Sequence, residues 1–261
     1  MTALAHTRGN QTQRHPYMKS KTLVIAAWAA AVLTGCASST GSPAHDAPAG
    51  PATATSTTVA KSACDTIGGT VGPDQTCHLD SDNARYTLDF RFPVDYPDQQ
   101  ALADLVTQRR DGFVDWVGDM PPSSVAYALH MIGEAFHSGT PASGTQSLVF
   151  TIGTDGGVHP VTTYEALNFD LSKHVPITFD TLFQPGTRPL EVLNPIVQRE
   201  LDKRGATGSL SLDDLGVKAY QNFAITDGAV IFFFNQDGVL PHENGSLEVQ
   251  VPRTEIASLL A

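Results

Sequence analysis

Hydrophobic and polar positions alternate in several clear runs along this chain. Tyr86, Leu88, Phe90 and Phe92 take every second position, the period of a half-buried strand. Leu102, Leu105, Val106, Phe113, Trp116 and Val117 recur at helical spacing after Asp98, a residue type that caps helices. Val125 to Phe136 and Ser147 to Thr154 read as long strands joined by a Gly/Pro/Ser loop at Ser138 to Gly144. A β-rich run from Val161 to Tyr164 continues through Leu167, Phe169 and Leu171, with polar Asn168 and Asp170 between them, and Ser172 to His174 reads as a turn. Asn194-Pro195 predicts a helix start with proline at its first position, and Gly205 its stop. Phe223 to Thr226 and Val230 to Phe234 predict a hairpin about Asp227-Gly228. Leu247, Val249 and Val251 predict a last strand, with a short helix from Pro252. Strands and helices interleave without regular βαβ spacing. The expectation is therefore α+β, a single domain with a mixed, largely antiparallel sheet packed by helices.

The N-terminal pattern is of another kind. Lys19 and Lys21 precede an apolar run from Thr22 to Val32, the layout of a signal peptide over residues 1–35 with Met18 as the better start than Met1. Leu33-Thr34-Gly35-Cys36 fits a lipobox, which predicts a mature N-terminus lipidated at Cys36 on the outer face of the cell membrane, with shedding as a further possibility. The alternative is an ordinary secretory signal that happens to contain Cys36. Residues 36–62 are dominated by Ala, Pro, Ser, Thr and Gly without apolar periodicity and read as a tether. Residues 63–261 are long enough for one compact domain with a sizeable core.

Composition narrows the partners. The chain holds 16 basic and 27 acidic residues. Four of the bases and none of the acids lie in residues 1–35, so the remainder carries a net charge of −15. Such a surface repels nucleic acid and draws cationic partners, although solubility alone is a sufficient reason for it. Apart from Cys36, only Cys64 and Cys77 remain, an even pair in an exported chain that predicts a disulfide. No further Cys-x-x-Cys or His-x-x-x-His spacing accompanies them, so no metal and no cofactor is expected.

Asp155 to Phe183 carries a more specific signal. Gly156-Gly157-Val158-His159 leads to Tyr164, then to Asn168-Phe169-Asp170 and to Ile177-Thr178-Phe179-Asp180-Thr181-Leu182-Phe183. With Tyr96 to Gln99, Tyr220 to Pro241 and the C-terminal Val249 to Ala261, these residues closely resemble the C-terminal domain of the RsiV-type, lysozyme-sensing anti-sigma factors. The nearest look is to the mycobacterial secreted immunogenic (Mpt/Mpb-type antigen) branch. The resemblance covers roughly residues 64–261. It implies a site around Gly156, Gly157, His159 and Tyr164 and makes lysozyme the candidate cationic partner. Where many relatives have a Pro-Tyr-Ala-x-Gly turn, this chain reads Pro241-His242-Glu243-Asn244-Gly245, so a contact made by that tyrosine is missing.

Two function classes follow. One is a binding module without chemistry, monomeric, held at the membrane by its lipid and recognising a protein or envelope ligand. The other is a serine-type carboxylesterase, with His159 as base and Ser143 or Ser147 as nucleophile beside Asp155 or Asp170. No Gly-x-Ser-x-Gly elbow is present to expose a nucleophile, which favours the module. His130 and His137 lie seven apart on one predicted strand, face opposite ways and make poor joint ligands. Phe232-Phe233-Phe234 reads as core packing rather than a ligand groove.

Overall fold

The computed structural model describes residues 61–156, 159–203, 216–236 and 246–261. The predicted signal peptide, Cys36, nearly all of the tether, Gly157, Gly205 and the 241–245 turn lie outside the described residues. In chain order the elements are α1 (Ala63–Ile67), β1 (Thr70–Val71), β2 (Thr76–Asp82), β3 (Tyr86–Pro93), α2 (Gln99–Asp119), β4 (Tyr127–Ser138), β5 (Thr145–Asp155), β6 (Val161–Asp170), β7 (Val175–Pro176), α3 (Phe179–Leu182) and α4 (Pro189–Lys203). A 3₁₀ turn at Gly216–Tyr220 is followed by β8 (Phe223–Ile225), β9 (Ala229–Phe234), β10 (Leu247–Pro252) and α5 (Arg253–Ile256).

Strands β1 to β7 form one seven-stranded sheet in sequence order. Every pair in it is antiparallel except β3 with β4. Parallel neighbours need a long crossover, and α2 supplies it. Asp98 starts that helix by accepting the Ala101 N–H at 3.0 Å. Leu102, Val106, Phe113 and Val117 then bury one stripe against Leu88, Phe90, Met131, Phe150 and Ile152 of the sheet. The predicted disulfide is formed: Cys64 and Cys77 join α1 to β2 with their Cα atoms 5.6 Å apart. Closing so short a loop contributes about 3 kcal/mol in the chain-entropy picture.

The opposite face of the sheet is covered by a second, three-stranded antiparallel sheet in the order β10-β9-β8. Ala224, Ile231 and Phe233 pack between the sheets against Val149, Tyr164, Phe136 and Ala166. Phe232 and Phe234 point the other way, into a core shared with Leu193, Val197 and Leu201 of α4 and Phe179 of α3. The molecule is therefore layered helix, sheet, sheet, helix. A strand buried on both faces has no polar alternation, which explains Phe232-Phe233-Phe234.

The same sandwiching corrects two expectations. Asn168 was expected on a polar face of a half-buried strand, yet it is 4% exposed, and its Nδ2 donates to the Phe223 carbonyl at 2.8 Å. The second sheet covers the side that the alternation assigns to solvent. Helix α4 begins at Pro189, not at Asn194-Pro195, and Pro195 lies inside it. The first-position proline rule holds at Pro189. Pro195 removes a helix hydrogen bond, a cost of about 3 kcal/mol, offset by the buried stripe Leu193, Ile196, Val197 and Leu201 that spans it. Asn194 caps nothing there; its Oδ1 accepts the Tyr220 hydroxyl at 2.7 Å.

Candidate functional site

Strand β5 has a sequence-predicted candidate at each end. Beyond its C-terminal end at Asp155 come Gly156 and, after two residues outside the described ones, the exposed His159; Val161 pairs with Thr154. A Cβ at Gly156 would overlap the rings of Tyr127 and Trp116. The close-approach use of glycine thus explains this residue without reference to a ligand. Tyr164, expected in the same site, is only 6% exposed and belongs to the core between the sheets. Its ring lies 5.2 Å from that of Phe233, and its hydroxyl meets Ser246 Oγ at 3.0 Å. Its backbone is held by Asn235 and Asn222. The second sheet covers Tyr164.

Ser143 stands at the other end of the strand. It lies in the loop between β4 and β5, where Gly139 takes a left-handed φ of 74° and the Gly144 N–H closes onto the Thr140 carbonyl at 2.7 Å. Ser143 Oγ meets Thr140 Oγ1 at 2.8 Å. The 11 residues of β5 rise ~3.3 Å each, so its ends stand ~33 Å apart. The fold does not bring Ser143 and His159 together. Ser147 is fully buried and accepts the Ile225 N–H at 3.0 Å, a bond that ties the two sheets. Asp170 sits at the Thr145 end, where β6 pairs with β5. Asp155 is at the far end, so the predicted acid, base and nucleophile are divided between two places.

A hollow of about 320 Å³ opens at the Thr145 end. Its walls come from β7, α3 and the ends of β8 and β9, with Ile177, Leu182, Ile225 and Val230 giving an apolar lining. Polar groups ring it. Thr145, Asp170, Lys173 and Arg253 are among the lining residues. Asp170 Oδ1 accepts the N–H groups of Ser172 and Lys173, both at 2.9 Å, and the Ser172 hydroxyl at 2.7 Å. The Ser172 hydroxyl first, then the Lys173 backbone, hold the Asp170 carboxyl down at about 2. Lys173 Nζ lies 3.3 Å from its other oxygen. Arg253 leaves β10 at its junction with α5, and its N–H donates to the Gly228 carbonyl. Its Nη1 donates to Ser138 Oγ at 2.8 Å and to the Thr226 carbonyl at 3.3 Å.

Lys173, Arg253 and Thr145 are not among the site residues that the sequence singles out. They lie far apart along the chain and share no motif, so only the folded register collects them. Among the described residues no three His, Cys, Asp or Glu side chains gather as a metal site requires. His130 faces Asp89 at 3.7 Å, and His137 is exposed seven residues further along β4.

The chain is 47% identical over 199 residues to the esterase Rv3036c of Mycobacterium tuberculosis, spanning 75% of this chain and 88% of that relative. It is 38% identical over 208 residues to the immunogenic protein MPT64 of the same species, covering 78% and 91%. The family model described as "Protein of unknown function (DUF3298)" matches residues 180–254. The chain belongs to the family of these MPT64-type proteins. The fold agrees: a DUF3298 family protein from Pseudomonas aeruginosa superposes with a TM-score of 0.50 at 13% identity, over 71% of this chain and 94% of that one. The DUF3298 match runs from α3 to the start of α5, so it takes in the second sheet and Arg253 but neither Ser143 nor His159.

Proposed function

We propose that this MPT64-type protein is an exported envelope protein that hydrolyses carboxylic esters. The observation that carries the reading is the 47% identity to a relative named an esterase, over nearly nine-tenths of that relative. The apolar hollow with polar groups at its rim supports it, since a carboxylic ester has an alkyl part to bury and an oxygen-bearing centre to hold. The paired nucleophile and base suggested by the sequence do not carry it, because Ser143 and His159 are at opposite ends of β5. The test is turnover of short-chain nitrophenyl esters by the purified protein, with a fluorophosphonate probe to find the nucleophile by peptide mass spectrometry. Turnover with one labelled serine supports the reading. No turnover above a denatured control sinks it.

A second reading, a binding module without chemistry, is favoured by a specific observation: the serines proposed as nucleophiles are engaged in the fold. Ser147 joins the two sheets, and Ser143 closes a loop with Thr140. The net charge of −15 without residues 1–35 supports capture of a cationic protein. The resemblance to RsiV-type sensors makes lysozyme the first candidate. Its association rate should then fall steeply with salt, because charge is screened within ~8–10 Å at physiological ionic strength.

The lipobox supports anchoring through Cys36. Cys36→Ala should move the protein out of the membrane fraction; unchanged fractionation would exclude a lipid at that residue.

A further inference from the structure

The hollow beside Thr145 is lined by three charged side chains, Asp170, Lys173 and Arg253, and closed on one side by Leu260 and Ala261. Asp170 is matched by Lys173, 3.3 Å away at the mouth. Arg253 has no such match. Among the described residues no carboxylate lies within ion-pair distance of its guanidinium, and both of its side-chain hydrogen bonds run from Nη1 to neutral oxygens. Its Nη2 and Nε find no acceptor among the described residues. Thr145 lines the same hollow, and among the described residues its buried hydroxyl has no hydrogen-bond partner. Around these groups the walls are aliphatic: Ile177, Leu182, Ile225 and Val230.

We infer that this hollow binds a short aliphatic carboxylic acid, with the carboxylate on Arg253 and the alkyl chain against Ile177 and Leu182. A guanidinium with free N–H groups is matched best by a carboxylate, which accepts two parallel bonds from it. The apolar walls require an alkyl partner, and a hollow of about 320 Å³ is at the small end of ligand sites, which run from roughly 300 to 1,000 Å³. The inference deepens the ester reading and rests on it for the ligand class, because a carboxylic acid is one product when an ester is hydrolysed. It also assigns Arg253 a role beyond joining the two sheets.

The experiment is calorimetric titration of the full chain, carrying Cys36→Ala so that no acyl group of its own competes, with octanoate and with octanol as the neutral control. Octanoate should saturate one site, and octanol should bind at least about tenfold more weakly, the difference expected of a hydrogen bond between charged groups. Arg253→Gln should weaken octanoate by about tenfold or more. Because Arg253 also holds Ser138 and Thr226, a second variant is needed that leaves those bonds intact. Val175→Trp serves, since Val175 lines the hollow and is 44% exposed, so the larger ring blocks the mouth without entering a core. It should abolish binding. Absence of octanoate binding, equal binding of octanol, or binding untouched by Val175→Trp would each overturn the assignment. Octanoate binding without ester turnover leaves the hollow and removes the hydrolase reading. Turnover with neither octanoate binding nor inhibition by octanoate does the reverse.

Discussion

The two ends of β5 make different kinds of structure from the same strand. At the Asp155 end the neighbours are aromatic: Trp116 and Tyr127 stack edge to face at 5.3 Å, and Gly156 passes where no side chain would fit. At the Thr145 end the neighbours are polar and unevenly satisfied. Ser138, Thr145 and Asp170 lie in one row across three strands, Arg253 reaches in from the second sheet, and a hollow remains. The Gly-Gly-x-His motif, conspicuous in the sequence, belongs to the first end. The polar groups with unused bonding capacity belong to the second. The residues most conspicuous in the sequence and the polar groups with unused bonding capacity are thus a strand-length apart.

The strongest way to test that contrast is to break the aromatic end alone. Gly156→Val should overlap the Tyr127 and Trp116 rings and destabilise the fold by about 2–3 kcal/mol, read as a lower urea midpoint with an unchanged slope. Octanoate affinity of the folded fraction should stay as in wild type. A joint loss would show that the two ends are one coupled unit.

The polar end can be weakened through its carboxylate. Asp170→Asn removes the charge that accepts the Ser172 and Lys173 N–H groups, at a cost of about 1 kcal/mol. The sign of the pH effect follows from the lowered carboxyl. The stabilisation is fully present above the ordinary value of 3.8 and is lost as pH falls through the folded value of about 2. Wild type and variant should therefore differ by a constant amount near neutral pH and converge between pH 4 and 2. A difference that persists below pH 2 would mean that packing, and not charge, made Asp170 matter.

The smallest expected effect sharpens the comparison most. His159 is exposed, so His159→Ala should alter stability by no more than about 0.5 kcal/mol. If ester turnover survives the change, the turn is architectural and the chemistry belongs elsewhere. If turnover disappears with the fold intact, the motif end regains the catalytic role.

Local physics determined a large part of this protein directly from its sequence. Asp98 caps α2, because an N-terminal cap needs only a side-chain oxygen near its own helix. The alternation of β3, the hairpin about Asp227-Gly228 and the Cys64–Cys77 pair were legible for the same reason. Tertiary structure decided the rest. Asn168 and Tyr164 became interior residues because a second sheet covers β6, and alternation along one strand does not reveal what lies above it. Pro195 stayed within α4 because burial on either side outweighed one lost hydrogen bond. Ser143 and His159 were separated by the length of β5, while Thr145, the neighbouring pair Asp170 and Lys173, and Arg253 were gathered by the tertiary fold from three distant parts of the chain. Periodicity is a property of one segment. A hollow is a property of the contacts between segments, and here residues of both sheets and of the chain beyond β6 are needed to form it.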